Sequence, residues 1–197
     1  MALGLLTALH AVLPQLAGTD AALMATVHHW YSPGLTAVML ALTEIGAVAT
    51  FASAVGVVVV LLLYRGHSHP AAILGGALLG AFALNESLKL HFHRARPVVP
   101  WSIGYEPTFS FPSGHSLFAC ALYGTLAYLA LRPPTSAARK TAILLPAILL
   151  PLGIGLSRIY LGMHFPTDVL AGYTAGGAWL AAVITADRIW QTRVSNF

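Results

Sequence analysis

The sequence predicts an all-α, polytopic membrane protein: one membrane-embedded domain over residues 1–197 with six transmembrane helices. Three observations predict it. Only 8% of the residues are charged and 57% are hydrophobic. A soluble domain carries about 25% charged residues, so this chain cannot cover a water-facing surface. Its apolar runs approach the ~20 residues that cross a hydrocarbon core. Short polar turns separate those runs, as at 65–70 and 132–140.

The elements follow in order. Residues 2–16 are apolar but short, interrupted by His10, Pro14 and Gln15, and form the expected first span. Met1 is followed by Ala-Leu-Gly rather than a basic stretch, so no removable signal peptide is expected. Residues 20–32 are mixed, and His28-His29-Trp30-Tyr31 suits an interfacial belt. Residues 35–64 exceed one span; a tilted or interfacial lead-in to about Ile45 and a span over 46–64 account for them. The next span covers 71–90, with Gly76 and Gly80 four apart for close helix contact. A proline-rich loop at 91–111 carries the aromatics Trp101, Tyr105, Phe109 and Phe111, expected as belt residues. Spans over 115–131, 141–160 and 169–189 complete the set. Pro146 and Pro151 are tolerable in a membrane helix whose neighbours re-satisfy the backbone, and Gly172 and Gly176 again stand four apart.

Against this oily background three polar clusters stand out. They are Lys89 with Arg96-Pro97, then Pro112-Ser113-Gly114-His115, then Ser157-Arg158 with His164 and Asp168. Counting spans brings all three to one side of the membrane. That side carries Lys89, Arg94, Arg96 and Arg158, and the opposite side Arg65, Arg132, Arg139, Lys140, Arg188 and Arg193. The positive-inside rule then places the clusters on the outer face of a plasma membrane. The net charge of +4 is small and scattered and indicates no nucleic-acid partner. Cys120 is the only cysteine, so no intrachain disulfide can form.

The clusters suit phosphate chemistry. Ser113 sits where a helix N-cap belongs, and the backbone N–H groups of Gly114 and His115 would offer an anion site at the helix start. Lys89, Arg96 and Arg158 supply fixed cations, the arginines with two parallel donors each. His164 and Asp168 are four apart; a carboxylate on one ring nitrogen leaves the other free to attack. His115 remains as the acid for the leaving oxygen. Nothing resembles a metal cage, and His67 with His69 gives only two ligands. Two readings stand for Glu86: orienting Lys89, or neutralising it within the membrane. For His91, His93 and Arg94 the readings are contact with the phosphate or head group, and anchoring at the interface. Glu44 reads as a structural or interfacial acid.

The pattern K-x6-RP, PSGH and SR-x5-H-x3-D, in order over about 80 residues, resembles the three-part signature of the type 2 phosphatidic acid phosphatase superfamily. The resemblance implies a six-helix fold and a metal-independent lipid phosphate phosphatase without a cofactor. It implies His164 as nucleophile assisted by Asp168, His115 as general acid, and phosphate binding by Lys89, Arg96, Ser113, Gly114 and Arg158. By analogy with the family, a polyprenyl pyrophosphate is the first substrate to expect, with phosphatidic acid and phosphatidylglycerol phosphate as rivals. Two alternatives use the same scaffold: a phosphotransferase that passes the phosphate to a second alcohol, and a non-enzymatic lipid-phosphate binder or transporter. The intact histidine–aspartate pair favours the enzyme.

Overall fold

The computed structural model describes residues 2–104 and 106–194; Tyr105, one of the expected belt aromatics, and the end of the tail lie outside them. Seven α-helices make up the regular structure among these residues: α1 (Ala2–His28), α2 (Pro33–Ile45), α3 (Val48–Tyr64), α4 (Ser68–Phe92), α5 (Gly114–Ala130), α6 (Ala137–Tyr160) and α7 (Pro166–Val194). The all-helical, multi-pass membrane architecture is as expected. Helices α4, α6 and α7 are long and apolar enough to cross a membrane, and α2 with α3 passes as one span broken by a 52° bend. Helix α5, at 17 residues, lies at the short end of the spanning range.

Two boundaries differ from expectation. Helix α1 does not stop near residue 16; it runs unbroken through Pro14 to His28. Its C-terminal half includes Asp20, buried to 1% exposure. That buried partner surface makes a helix of a stretch whose composition looked mixed. The lead-in before the third helix is a separate helix, α2, set between Ser32 and Gly46. Pro33 starts it and the Ser32 hydroxyl caps it by accepting from Leu35 N–H.

Helix α5 is the hub. Leu117, Phe118 and Leu122 on it are nearly fully buried, and it packs against α4, α6 and α7. Gly172 and Gly176 explain the close approach of α7. A Cβ on either would stand 2.5 Å from a carbonyl oxygen of α5, that of Ser113 or Leu117 respectively. The other glycine pair divides. Gly76 faces open space, whereas a Cβ at Gly80 would collide with the Trp179 indole, whose Nε1 donates to the Ala77 carbonyl at 3.0 Å.

At the end of the bundle opposite the polar clusters, buried Asp187 on α7 joins three helices. It accepts from Tyr128 at 2.6 Å, pairs with Arg132, and meets His69 Nε2 at 2.7 Å. His69 also stacks on Trp190. This placement accounts for His69 as a structural residue.

The described loop aromatics find packing partners within the protein. Phe111 is fully buried against Phe92, Trp101 stacks on His28 at 4.3 Å, and Phe109 meets His93 edge-on. They pack the α4–α5 loop down onto the helix ends, which fixes the residues between them.

Candidate active site

The loop between α4 and α5 supplies Arg96, Glu106 and Thr108, and these bind the helix ends together. Thr108 Oγ1 accepts from Lys89 Nζ at 3.1 Å and from Arg96 Nη2 at 2.9 Å. Arg96 also donates from Nε to the Thr108 carbonyl at 2.8 Å and from Nη1 to the Met163 carbonyl at 3.1 Å. Glu106 bridges the two motif arginines, accepting from Arg96 at 2.6 Å through one oxygen and from Arg158 through the other. Burial alone would raise the Glu106 pKa, but the Arg158 and Arg96 guanidiniums, with His164 and His115 adding, hold it at about 2. The carboxylate therefore stays charged throughout the physiological range. Arg158 is further held by Thr43 of α2 at 2.6 Å, and its Nε is buried without a hydrogen-bond partner.

His164 follows the end of α6 and is 1% exposed. Gly162 makes the turn before it, in the left-handed region at φ 70°, and the His164 N–H bonds back to the Arg158 carbonyl at 3.2 Å. Arg96 Nη1 lies 3.2 Å from His164 Nε2. Arginine can only donate, so Nε2 is the unprotonated nitrogen and Nδ1 carries the proton. Asp168, in the first turn of α7, stands behind it, with Oδ2 3.4 Å from Nδ1. That separation is within ion-pair reach, but the ring N–H is not aimed along it, so Nδ1 makes no hydrogen bond in this arrangement. Burial and the neighbouring Arg158 and Arg96 hold the His164 pKa well below its ordinary value. The imidazole is neutral, and its lone pair on Nε2 faces the cationic side of the site.

Ser113 and Gly114 differ from expectation in detail. Ser113 occupies the N-cap position of α5, but its hydroxyl caps nothing. It accepts from the Ser116 hydroxyl at 3.2 Å, while its N–H donates to the Asp168 carbonyl at 2.9 Å. The residue thus ties α5 to α7 through its backbone. Gly114 packs closely beside Asn85, whose Oδ1 would lie 3.1 Å from a Cβ there. His115, next along, packs near Gly46, 3.2 Å from where a Cβ would be. Glu86 is held by Asn85 Nδ2 at 2.7 Å, while Lys89 bonds Thr108.

Lys89, Arg96, Arg158, His164 and Asp168 therefore converge directly, and Ser113, Gly114 and His115 join them at the start of α5. Beside them opens a cavity of about 580 Å³, lined in part by Arg96, Glu106, Thr108, Ser102 and Met163. Arg94 does not line this cavity; it binds Asp168 Oδ1 at 2.5 Å and Asp20 at 2.9 Å. His91 and His93 are exposed and meet Phe92 and Phe109. Asp20, Thr43 and Thr108 were not visible as site residues in the sequence. Asp20 alone left a signal, as a lone carboxylate in an apolar run.

A family model described as the PAP2 superfamily matches residues 70–191, which include all eight of the converging motif residues. The chain belongs to the PAP2 superfamily. Among curated PAP2 relatives, it is 40% identical over 95 residues to phosphatidylglycerophosphatase B of Bacillus subtilis (strain 168), covering 47% of this chain and 46% of that protein. It is 35% identical over 104 residues to decaprenylphosphoryl-5-phosphoribose phosphatase of Mycolicibacterium smegmatis, covering 51% of each. The chain thus spans about half the length of these relatives. Its fold is similar to the crystal structure of a transmembrane PAP2 type phosphatidylglycerolphosphate phosphatase from Bacillus subtilis. The TM-score is 0.86 at 28% identity, over 95% of this chain and 94% of that one.

Proposed function

We propose that this PAP2 protein is a lipid phosphate phosphatase that works through a phosphohistidine on His164. One observation carries the reading. The unprotonated Nε2 of His164 faces Arg96 at 3.2 Å, with Arg158 beside it and Asp168 behind the opposite nitrogen. A phosphoryl group that draws Arg96 off Nε2, held by those guanidiniums and by Lys89, meets that lone pair. Positioning and charge stabilisation are most of what phosphoryl transfer asks of a protein.

In the first step the Nε2 lone pair attacks phosphorus and the bond from phosphorus to the lipid oxygen breaks. The negative charge of the bound phosphate favours the protonated form of His115, which gives its proton to the leaving oxygen; the His164 imidazole, now bonded at Nε2 and protonated at Nδ1, is positive. Asp168 stabilises that charge. In the second step His115 accepts a proton from water, which attacks phosphorus and releases His164 and inorganic phosphate. Both steps are proton-balanced, and each uses groups the site brings together.

The substrate we favour is phosphatidylglycerol phosphate, a change from the polyprenyl pyrophosphate expected by analogy. Both the 40% identical relative and the solved structure over nearly the whole chain carry that activity in their names. A site at helix ends, with apolar helices beneath it, places a lipid head group at the phosphate and leaves its tail in hydrocarbon. The same placement, with the charge asymmetry of the loops, supports an outward-facing site in a plasma membrane.

The test is phosphate release by purified protein in mixed micelles, comparing phosphatidylglycerol phosphate, phosphatidic acid and a polyprenyl pyrophosphate, with quenched turnover to trap labelled enzyme. Acid-labile, alkali-stable label should appear in wild type and be missing in His164→Ala, with turnover lost by on the order of 10⁴-fold. Wild-type turnover by His164→Ala overturns the mechanism. A tenfold lead for either rival in kcat/KM, about 1.4 kcal/mol, overturns the choice of lipid.

A further inference from the structure

The carboxylate behind His164 is the middle of a longer charged chain that starts on α1, outside the residues matched by the family model. Asp168 uses both oxygens. Oδ1 accepts from Arg94 Nη1 at 2.5 Å; Oδ2 accepts from Phe165 N–H at 3.0 Å and is the oxygen facing His164. Arg94 lies over the Phe165 ring, 4.1 Å from its centroid, and its other terminal nitrogen donates to Asp20 Oδ2 at 2.9 Å. Asp20 in turn accepts from the Thr167 N–H at 3.1 Å and the Thr167 hydroxyl at 2.6 Å. The Asp20, Arg94 and Asp168 side chains each have two or more polar partners, and both carboxylates are essentially fully buried.

We propose that Asp20 and Arg94 are positioning residues for the phosphoryl transfer, acting through Asp168. Arg94 holds one Asp168 oxygen and so decides which oxygen remains for the imidazole and at what angle. Asp20 does a different job. A guanidinium paired with Asp168 alone would cancel its charge, and a neutral pair would do little for a histidine turning positive. With Asp20 the three side chains carry one net negative charge, available to His164 when phosphorus bonds to Nε2. In a buried setting a charge at this range is poorly screened. The proposal rests on the reading of His164 as nucleophile. It also makes α1 part of the reaction machinery, although His164 makes no hydrogen bond or ion pair to it.

The decisive variant is Asp20→Asn, which removes the charge and keeps an acceptor for the Thr167 N–H. Measured with phosphatidylglycerol phosphate in mixed micelles, it should lower kcat about tenfold with KM within twofold of wild type. Arg94→Gln should lose more, and Arg94→Lys should recover part of that loss by restoring the charge. In an Asp168→Asn background, Asp20→Asn should cost less than twofold further. A kcat within twofold of wild type in Asp20→Asn, with only the thermal midpoint lowered, overturns the proposal and leaves Asp20 as a fastener of α1. So do losses that multiply in the double variant. Should Asp20→Asn fail to fold, the comparison of Arg94→Lys with Arg94→Gln decides by the same split of kcat from KM. If wild type releases no phosphate from this lipid or from phosphatidic acid, the phosphatase reading is what has failed. The proposal then stands or falls on the His164 Nδ1 proton in histidine-labelled protein, identified by its loss in His164→Ala. Its resonance should move in Asp20→Asn, and an unmoved resonance overturns the coupling.

Discussion

On the proposed mechanism, His164 owes its reactivity to neighbours rather than to its own chemistry. An exposed histidine is half protonated near pH 6.5. Here burial and then Arg158 and Arg96 disfavour the imidazolium, so the neutral form persists to lower pH. Removing a cation relaxes part of that shift. Arg158→Gln and Arg96→Gln should therefore move the acid limb of kcat/KM upward, toward pH 6.5, beyond any loss of phosphate binding. A pH–rate profile of each variant against wild type checks this, and an unmoved acid limb speaks against His164 as the titrating group. Glu106 behaves in the opposite sense. Its pKa of about 2 is depressed, so the stability it contributes is full above the ordinary carboxylate pKa and lost as pH falls through 2. The convergence of the eight motif residues could be read from sequence because span parity brings their three clusters to one side. The hydroxyl of Ser113 could not: its position promised a cap, and only packing against Ser116 shows otherwise. Thr43 left no signal, since its partner Arg158 is 115 residues away.

At the scale of the helix, glycines that look alike in sequence do different work. Gly172 brings α7 against the Ser113 carbonyl, so it sets the distance between the start of α5 and the His164–Asp168 turn. Gly172→Ala should cost ~1–3 kcal/mol as overpacking and lower activity by displacing that turn. Gly76→Ala, which enters open space, should stay within about 0.5 kcal/mol or gain from better helix propensity. Thermal midpoints and turnover of the two variants, measured side by side, separate the cases; equal effects would contradict the packing described. The same contrast shows why spacing alone predicted close contact at both pairs. A four-residue interval marks a face, while the partner on that face is decided by the fold. Helix α1 is the element sequence judged least well. Pro14 and a mixed second half argued for an early stop, but burial of Asp20 with Arg94 and Thr167 supplies what local composition lacks.

For the whole molecule, topology is the testable quantity. Single cysteines at Ser102 and Ser136 in a Cys120→Ala background sit at opposite ends of the bundle, both exposed. In sealed cells an impermeant thiol reagent should label position 102 and spare 136. The reverse pattern would put the site in the cytoplasm and overturn the charge argument. The fold class and the meeting of the three clusters were legible because hydropathy and span parity constrain a membrane chain strongly. How the loop between α4 and α5 is tied down was not, since it depends on Trp101, Phe109 and Phe111 finding His28, His93 and Phe92.

The Glu106, Thr108 and Asp168 contacts have a consequence for biogenesis. The groups they join come from α4, α6, α7 and two loops, and the last of them, Asp168, opens the final helix. A chain emerging from the ribosome inserts its helices in order. Until α7 docks, the Ser113 N–H lacks the Asp168 carbonyl and the Asp168 carboxylate lacks Arg94. The half-inserted protein thus has its cations in the membrane interface but no oriented imidazole to attack with. On the proposed mechanism, phosphoryl transfer then waits for the last helix.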